Sequence, residues 1–150
     1  MTKVIIDTNI YISAFIFGRK PQEIVFRCFT DSTIQVCISD QIFEEVGDKF
    51  LRGRVEAICE KSQSRFSVDN ALAYLEYIKT NAFLVVKPIK LSVCNLLRDQ
   101  KDQMFLDLAS EVSADYIVSG DKDLLVLGDF QGTQIVTAHY FLEAVSENYI

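Results

Sequence analysis

The sequence predicts an α/β protein in which a mostly parallel sheet of about five strands carries helices on both faces. Three observations support this. Short apolar runs rich in β-branched residues alternate with segments of helical period along the chain. The runs are continuously apolar rather than alternating, as strands buried on both faces are. The segments between them are long enough for crossover connections, which parallel pairing needs and a hairpin does not.

Val4-Ile5-Ile6 is the first strand and reads as fully buried. A helix is expected over 21–30, where Pro21 suits a first turn because its missing N–H is one of the unpaired ones anyway. Ile34-Gln35-Val36-Cys37-Ile38 is the second strand. A helix over 40–51 follows, with Ser39 as its N-cap. Residues 54–80 hold two helices, the second with Val68, Ala71, Leu72, Leu75 and Ile78 at helical spacing. Phe83-Leu84-Val85-Val86 is the third strand, Tyr116-Ile117-Val118 the fourth and Gln134-Ile135-Val136-Thr137 the fifth. Helices over 100–113 and 138–147 complete the set.

Composition narrows the function. With 49% hydrophobic residues the 150-residue chain, 1–150, is expected to form one domain around a single core, not a disordered segment. Cys28, Cys37, Cys59 and Cys94 are spread without CxxC or Cys/His zinc spacing, so reduced thiols and a cytoplasmic location are expected. No apolar run approaches the ~20 residues of a membrane span, so no membrane partner is expected. The chain opens in strand-like sequence, so no signal peptide is expected. Its net charge of −6, from 15 Lys+Arg against 21 Asp+Glu, argues taken alone against a nucleic-acid binder that works by bulk positive charge. It leaves open a partner whose phosphates are met by metal ions.

In open parallel sheets, function collects at the carboxyl ends of the strands. Here those ends are acidic. The first runs into Asp7-Thr8-Asn9, the second into Ser39-Asp40 and Glu44-Glu45, and the fourth into Ser119-Gly120-Asp121-Lys122-Asp123. On a helical projection, Asp102 falls within the apolar arc of Phe105, Leu106, Ala109 and Val112, and Asp107 falls opposite it. Each acid also has a plain structural reading. Asp7 suits a turn cap, Asp99 an N-cap, Asp102 a first helical turn, and Asp123 a cap for the short segment after it, better than Asp121 does. Glu44 and Glu45 both flank the apolar stripe of Ile42, Phe43, Val46 and Phe50, and helical geometry does not choose between them. Gathered on one edge, four or more carboxylates would repel and raise one another's pKa. A hard divalent cation relieves this: Mg²⁺ or Mn²⁺ takes oxygen ligands, and Mg²⁺ keeps waters that leave room for a phosphate oxygen and an attacking water.

Four segments, in order, resemble the motifs of PIN-domain ribonucleases, and in particular the bacterial and archaeal branch regarded as toxins of toxin–antitoxin pairs. They are Val4-Ile5-Ile6-Asp7-Thr8-Asn9; Ser39 with Glu45-Val46 six residues on; Asp102 with Ala109 seven residues later; and Ala114 through Leu125, where Ser119 stands in the place commonly held by Thr. The resemblance spans nearly the whole chain, and it selects Glu45 over Glu44. It implies a three-layer α/β/α sandwich and a metal-dependent endoribonuclease leaving a 5′-phosphate and a 3′-hydroxyl. Under it Asp7, Glu45, Asp102 and Asp121 are the catalytic, metal-holding carboxylates. Asp99 and Asp123 are auxiliary acids, and Asn9 and Ser119 orient groups around them. It also implies an RNA substrate, an antitoxin protein and a homodimer, whose contact would come from the apolar stretch Tyr11–Phe17 and the helix after Pro21.

Other readings compete. A phosphatase with a nucleophilic Asp wants a second Asp two residues on, where Asn9 stands. A phospho-receiver wants an Asp after the third strand, where Lys87-Pro88 stand. A catalytically silent PIN fold that binds protein or RNA, and a nuclease for single-stranded or flap DNA, remain as alternatives. The lone His139 reads as a surface or helix-start residue, and Phe15, Phe17, Phe26 and Phe29 as core or oligomer contacts rather than base-stacking platforms. Arg19-Lys20 and the Lys49, Arg52, Arg54 group are the candidate nucleic-acid contacts, with a solvated surface as the simpler reading.

Overall fold

The computed structural model describes residues 1–61, 66–91, 97 and 99–147. Cys94 and Arg98 lie outside the described residues, as does the side chain of Arg54. In chain order the elements are β1 (Thr2–Ile6), α1 (Thr8–Phe17), α2 (Arg19–Thr30), β2 (Ile34–Ser39), α3 (Asp40–Leu51), α4 (Arg54–Lys61), α5 (Val68–Asn81) and β3 (Phe83–Val85). A 3₁₀ turn (Gln100–Asp102) leads into α6 (Gln103–Val112), followed by β4 (Tyr116–Val118), α7 (Lys122–Leu125), β5 (Asp129–Phe130), β6 (Thr133–Val136) and α8 (Ala138–Glu147).

The fold is a three-layer α/β sandwich. Its six-stranded sheet has the order β3-β2-β1-β4-β6-β5. Every pairing is parallel except that of the two-residue β5 with β6. The expectation of about five strands missed β5, which is too short to leave a pattern of its own. In register, Ile5 faces Cys37 on one side and Ile117 on the other. Val4, Ile5, Ile6, Ile38, Ile117 and Val118 are almost fully inaccessible, as continuously apolar strands should be. Strand β3 differs: Phe83 and Leu84 are exposed at the sheet edge.

Ser39 caps α3 as expected, accepting from the Ile42 N–H at 3.1 Å. The helix expected over 21–30 begins at Arg19, two residues earlier, after Gly18 turns the chain with φ of +67°. Helix α1 left no amphipathic signature because Thr8-Asn9-Ile10-Tyr11-Ile12-Ser13-Ala14-Phe15-Ile16-Phe17 is apolar on nearly every side. It is buried accordingly, with Tyr11 fully inaccessible. Phe15 stacks on Tyr74 at 5.6 Å and meets Phe50 edge-on at 4.9 Å, so it belongs to the core. Phe17 and Phe26 are exposed. Cys28, Cys37 and Cys59 are free thiols in the core.

The strand order reverses at β1. From β1 the chain steps outward through β2 and β3, then returns to place β4 on the other side of β1. The crevice above such a reversal, outside the carboxyl ends, is where open α/β sheets bind ligands. Here that crevice lies between Ile6 and Val118, which are paired neighbours.

Candidate metal centre

Asp7 leaves β1 at the crevice and Ser119 leaves β4 beside it. The Asp7 N–H donates to the Val118 carbonyl at 3.0 Å, continuing the ladder one residue past the strand. The side chains join across the same gap: Ser119 Oγ donates to Asp7 Oδ2 at 2.7 Å and accepts from the Asp121 N–H at 2.9 Å. Asp7 also caps α1, with a long bond of 3.4 Å from the Asn9 N–H. Burial pushes the Asp7 carboxyl up, and the Ser119 and Asn9 bonds oppose that.

Asp121, not the expected Asp123, caps the short helix α7, accepting from the Asp123 N–H at 2.8 Å. This turn folds Asp123 back beside Asp121. Asp102 arrives from the other direction, where the 3₁₀ turn becomes α6. Asp99 caps that turn through the Lys101 N–H at 3.0 Å, and Asp99 is itself exposed. Asp102 makes no capping bond. Carboxylate oxygens of Asp102, Asp121 and Asp123 all lie within 4.8 Å of one another.

Asp102 is the anomalous residue. It is only 7% exposed, and its Oδ2 is buried with no hydrogen-bond partner among the described residues. Burial pushes its pKa up to about 7, and the charge of Asp121, a side-chain hydrogen bond with Asp121, and the charges of Asp99 and Asp7 push in the same direction. A buried carboxylate oxygen without a donor, next to two further carboxylates, is costly as it stands. A hard divalent cation supplies the missing partner and cancels the repulsion, and an all-oxygen donor set suits such an ion. The residues present therefore fit a bound divalent metal.

The structure brings Asp102 and Asp121 together as expected and adds Asp123 to them. Asp7 joins through Ser119. Glu45 lies outside the group of three and is tied instead to the turn after Asp7, where it accepts from Thr8 Oγ1 at 3.0 Å. One turn along the same face of α3, Lys49 Nζ donates to Asn9 Oδ1 at 2.7 Å. Thus α3 grips residues 8 and 9 with Glu45 and Lys49, a pair at the i, i+4 spacing. The roles of Thr8 and Lys49 were not read from the sequence. The four-residue spacing from Glu45 was the available signal for Lys49.

Asp107 departs from expectation. The helical projection put it opposite the buried face, yet it is buried, accepting from the Leu91 N–H at 2.9 Å and lying 3.5 Å from the Gln103 amide. The segment following β3 covers that side of α6. Of the expected nucleic-acid cations, Lys49 is held at Asn9, Arg19 is exposed at the start of α2, Lys20 Nζ lies 3.0 Å from His139 Nδ1, and Arg52 lies 3.6 Å from Asp48. His139 is at the start of α8, as expected, and pairs with Glu143 at 2.9 Å.

The family model of the PIN domain matches residues 3–123, which include Asp7, Glu45, Asp99, Asp102, Asp121 and Asp123. The chain belongs to the PIN-domain family. PIN domains are in general metal-dependent nucleases, and the acidic cluster of Asp102, Asp121 and Asp123 lies within the matched residues. The chain is 30% identical over 129 residues to the uncharacterized protein MJ1680 of Methanocaldococcus jannaschii, an alignment covering 85% of this PIN protein and 76% of that one. The crystal structure of PAE2754 from Pyrobaculum aerophilum has the same fold, with a TM-score of 0.60 over 97% of this chain and 90% of that one, at 14% identity. No helix among the described residues is long and apolar enough to cross a membrane.

Proposed function

We propose that this PIN domain is an endoribonuclease that hydrolyses RNA phosphodiester bonds with Mg²⁺ or Mn²⁺. The observation that carries the proposal is the buried Asp102 carboxylate beside Asp121 and Asp123, whose Oδ2 has no hydrogen-bond partner among the described residues. Asp102, Asp121 and Asp123 would hold the ion, with Asp7 beside them. A divalent ion held there would supply Lewis-acid polarisation of the scissile phosphate and activation of the attacking water. The chain's own residues then do the positioning. Ser119 fixes the Asp7 carboxylate, Thr8 fixes Glu45 at the rim, and Lys49 fixes the Asn9 amide. Burial of Asp7 and Asp102 keeps bulk water from competing at the acids.

The same proposal includes a toxin role restrained by an antitoxin protein, a cytoplasmic location and a homodimer of single-domain chains. The four-motif resemblance supports the toxin role, and the exposed Phe17 and Phe26 of α1 and α2 support a contact between copies.

Cleavage of a single-stranded RNA by the wild type and by Asp102→Asn, with and without Mn²⁺, tests the reading. Loss of several kcal/mol of charge stabilisation predicts a fall of about a hundredfold or more in the variant. Undiminished cleavage by folded Asp102→Asn, or cleavage in EDTA, would overturn it. Cutting of the matching DNA at an equal rate would replace RNA by nucleic acid in general.

A further inference from the structure

Beside the acidic cluster a second feature opens. A cleft of about 480 Å³ runs between α3 on one wall and the 3₁₀ turn and α6 on the other, and Pro88 and Lys90 close its end. It adjoins the proposed metal centre without sharing its acids: Glu45, tied to Thr8 beside Asp7, lines it, and so do Lys101 and Gln103, the chain neighbours of Asp102 on either side. We infer that this cleft is the subsite for the nucleotide next to the scissile phosphate of a single-stranded nucleic acid, with Lys90 and Lys101 holding its backbone. The inference rests on the nuclease reading above and adds to it where the strand runs.

The chemistry of the walls supports this occupant. The volume falls in the range of small-ligand pockets, about 300–1,000 Å³, which admits a nucleotide and not a duplex. Lys90 and Lys101 come from separate segments, are exposed, and have no ion-pair partner among the described residues. Most of the carboxylates on the walls are already engaged. Asp107 accepts from Leu91 N–H, Glu45 from Thr8, and Asp48 faces Arg52. Lys90 and Lys101 are the cationic groups on walls that also carry the carboxylates of Glu44, Glu45, Asp48 and Asp107, and the side chains of Gln41, Glu44 and Gln100 are the polar groups not otherwise engaged among the described residues. The Lys90 wall is also held in place. The Leu91 N–H is bonded to Asp107, and the Gln103 amide donates to the Leu91 carbonyl at 2.7 Å. A pinned segment pays little ordering entropy on binding, which favours a preformed subsite.

The test is binding of a fluorescent single-stranded RNA to the Asp102→Asn protein, which should not cut it, across a salt series. Removal of both lysines, Lys90→Ala with Lys101→Ala, should weaken binding and lower the slope of log affinity against log salt by about 0.7 per lysine. Lys79→Ala, an exposed lysine on α5 away from the cleft, should change neither. Unaltered affinity and slope in the folded double variant would overturn the inference. The two readings fail separately. Wild-type protein that cuts RNA but is indifferent to the lysines loses the cleft and keeps the nuclease. Protein that binds through the lysines and never cuts keeps the cleft and loses the nuclease.

Discussion

At the scale of the residue, Asp102 shows how one carboxylate is both a stability cost and a functional group. Its folded pKa of about 7 lies above its ordinary value of 3.8, because burial first and then its acidic neighbours disfavour the charge. A raised carboxyl pKa stabilises the fold below the unfolded value, and that contribution is lost as pH rises through the folded one. The metal-free protein should therefore lose stability between about pH 4 and 7. Asp102→Asn removes the charge and nearly keeps the shape. In EDTA at pH 8 it should melt higher than wild type by ~1 kcal/mol or more, about 2–4 °C at this size, and the gap should vanish near pH 4. Thermal melts across that range check this, and a less stable variant at pH 8 would make Asp102 a structural acid. The inward placement of Asp102 was legible because its helix has a clear apolar face. Asp107 was misread because a projection shows only what a helix does alone, and the chain around Leu91 covers its other side.

At the scale of the element, the helices with one apolar face were legible and those without were not. Helix α3 announced itself through Ser39 and the spacing of Ile42, Val46 and Phe50. Helix α1 and strand β5 did not, one being apolar all round and the other two residues long. The contacts between elements were legible only in part. Four motifs marked Asp7, Glu45, Asp102 and Asp121, while the grip of α3 on residues 8 and 9 depends on how two elements dock. Asp107 tests such a tie. Asp107→Ala removes the acceptor of a part-buried N–H, so it should cost about 1–3 kcal/mol in thermal unfolding. It should also speed amide exchange at Leu91 while leaving the exchange of β1 unchanged. Equal exchange at Leu91 in both proteins would show that the segment is held by other contacts.

At the scale of the whole molecule, the strand order decides where the acids meet. Asp7 and Asp121 are far apart in sequence, and the side-by-side placement of β1 and β4 brings them within reach through Ser119. Asp102 is added by α6, which packs across β1 and β2. A ligand that bridges these segments links elements from the two ends of the chain, so its binding free energy stabilises the whole fold. At a hundred times its dissociation constant, Mg²⁺ or Mn²⁺ should add ~3 kcal/mol, about 5–10 °C in Tm. The gain should shrink as pH falls below about 7, because Asp102 must lose its proton to hold the ion. Asp102→Asn should show a much smaller gain at every pH. Melts with Mn²⁺ at pH 6 and 8 separate a bound ion from general screening: KCl at matched ionic strength should give no such pH dependence and should not distinguish the variant. An equal gain from KCl would mean that the carboxylates only repel, and that no ion is held between them.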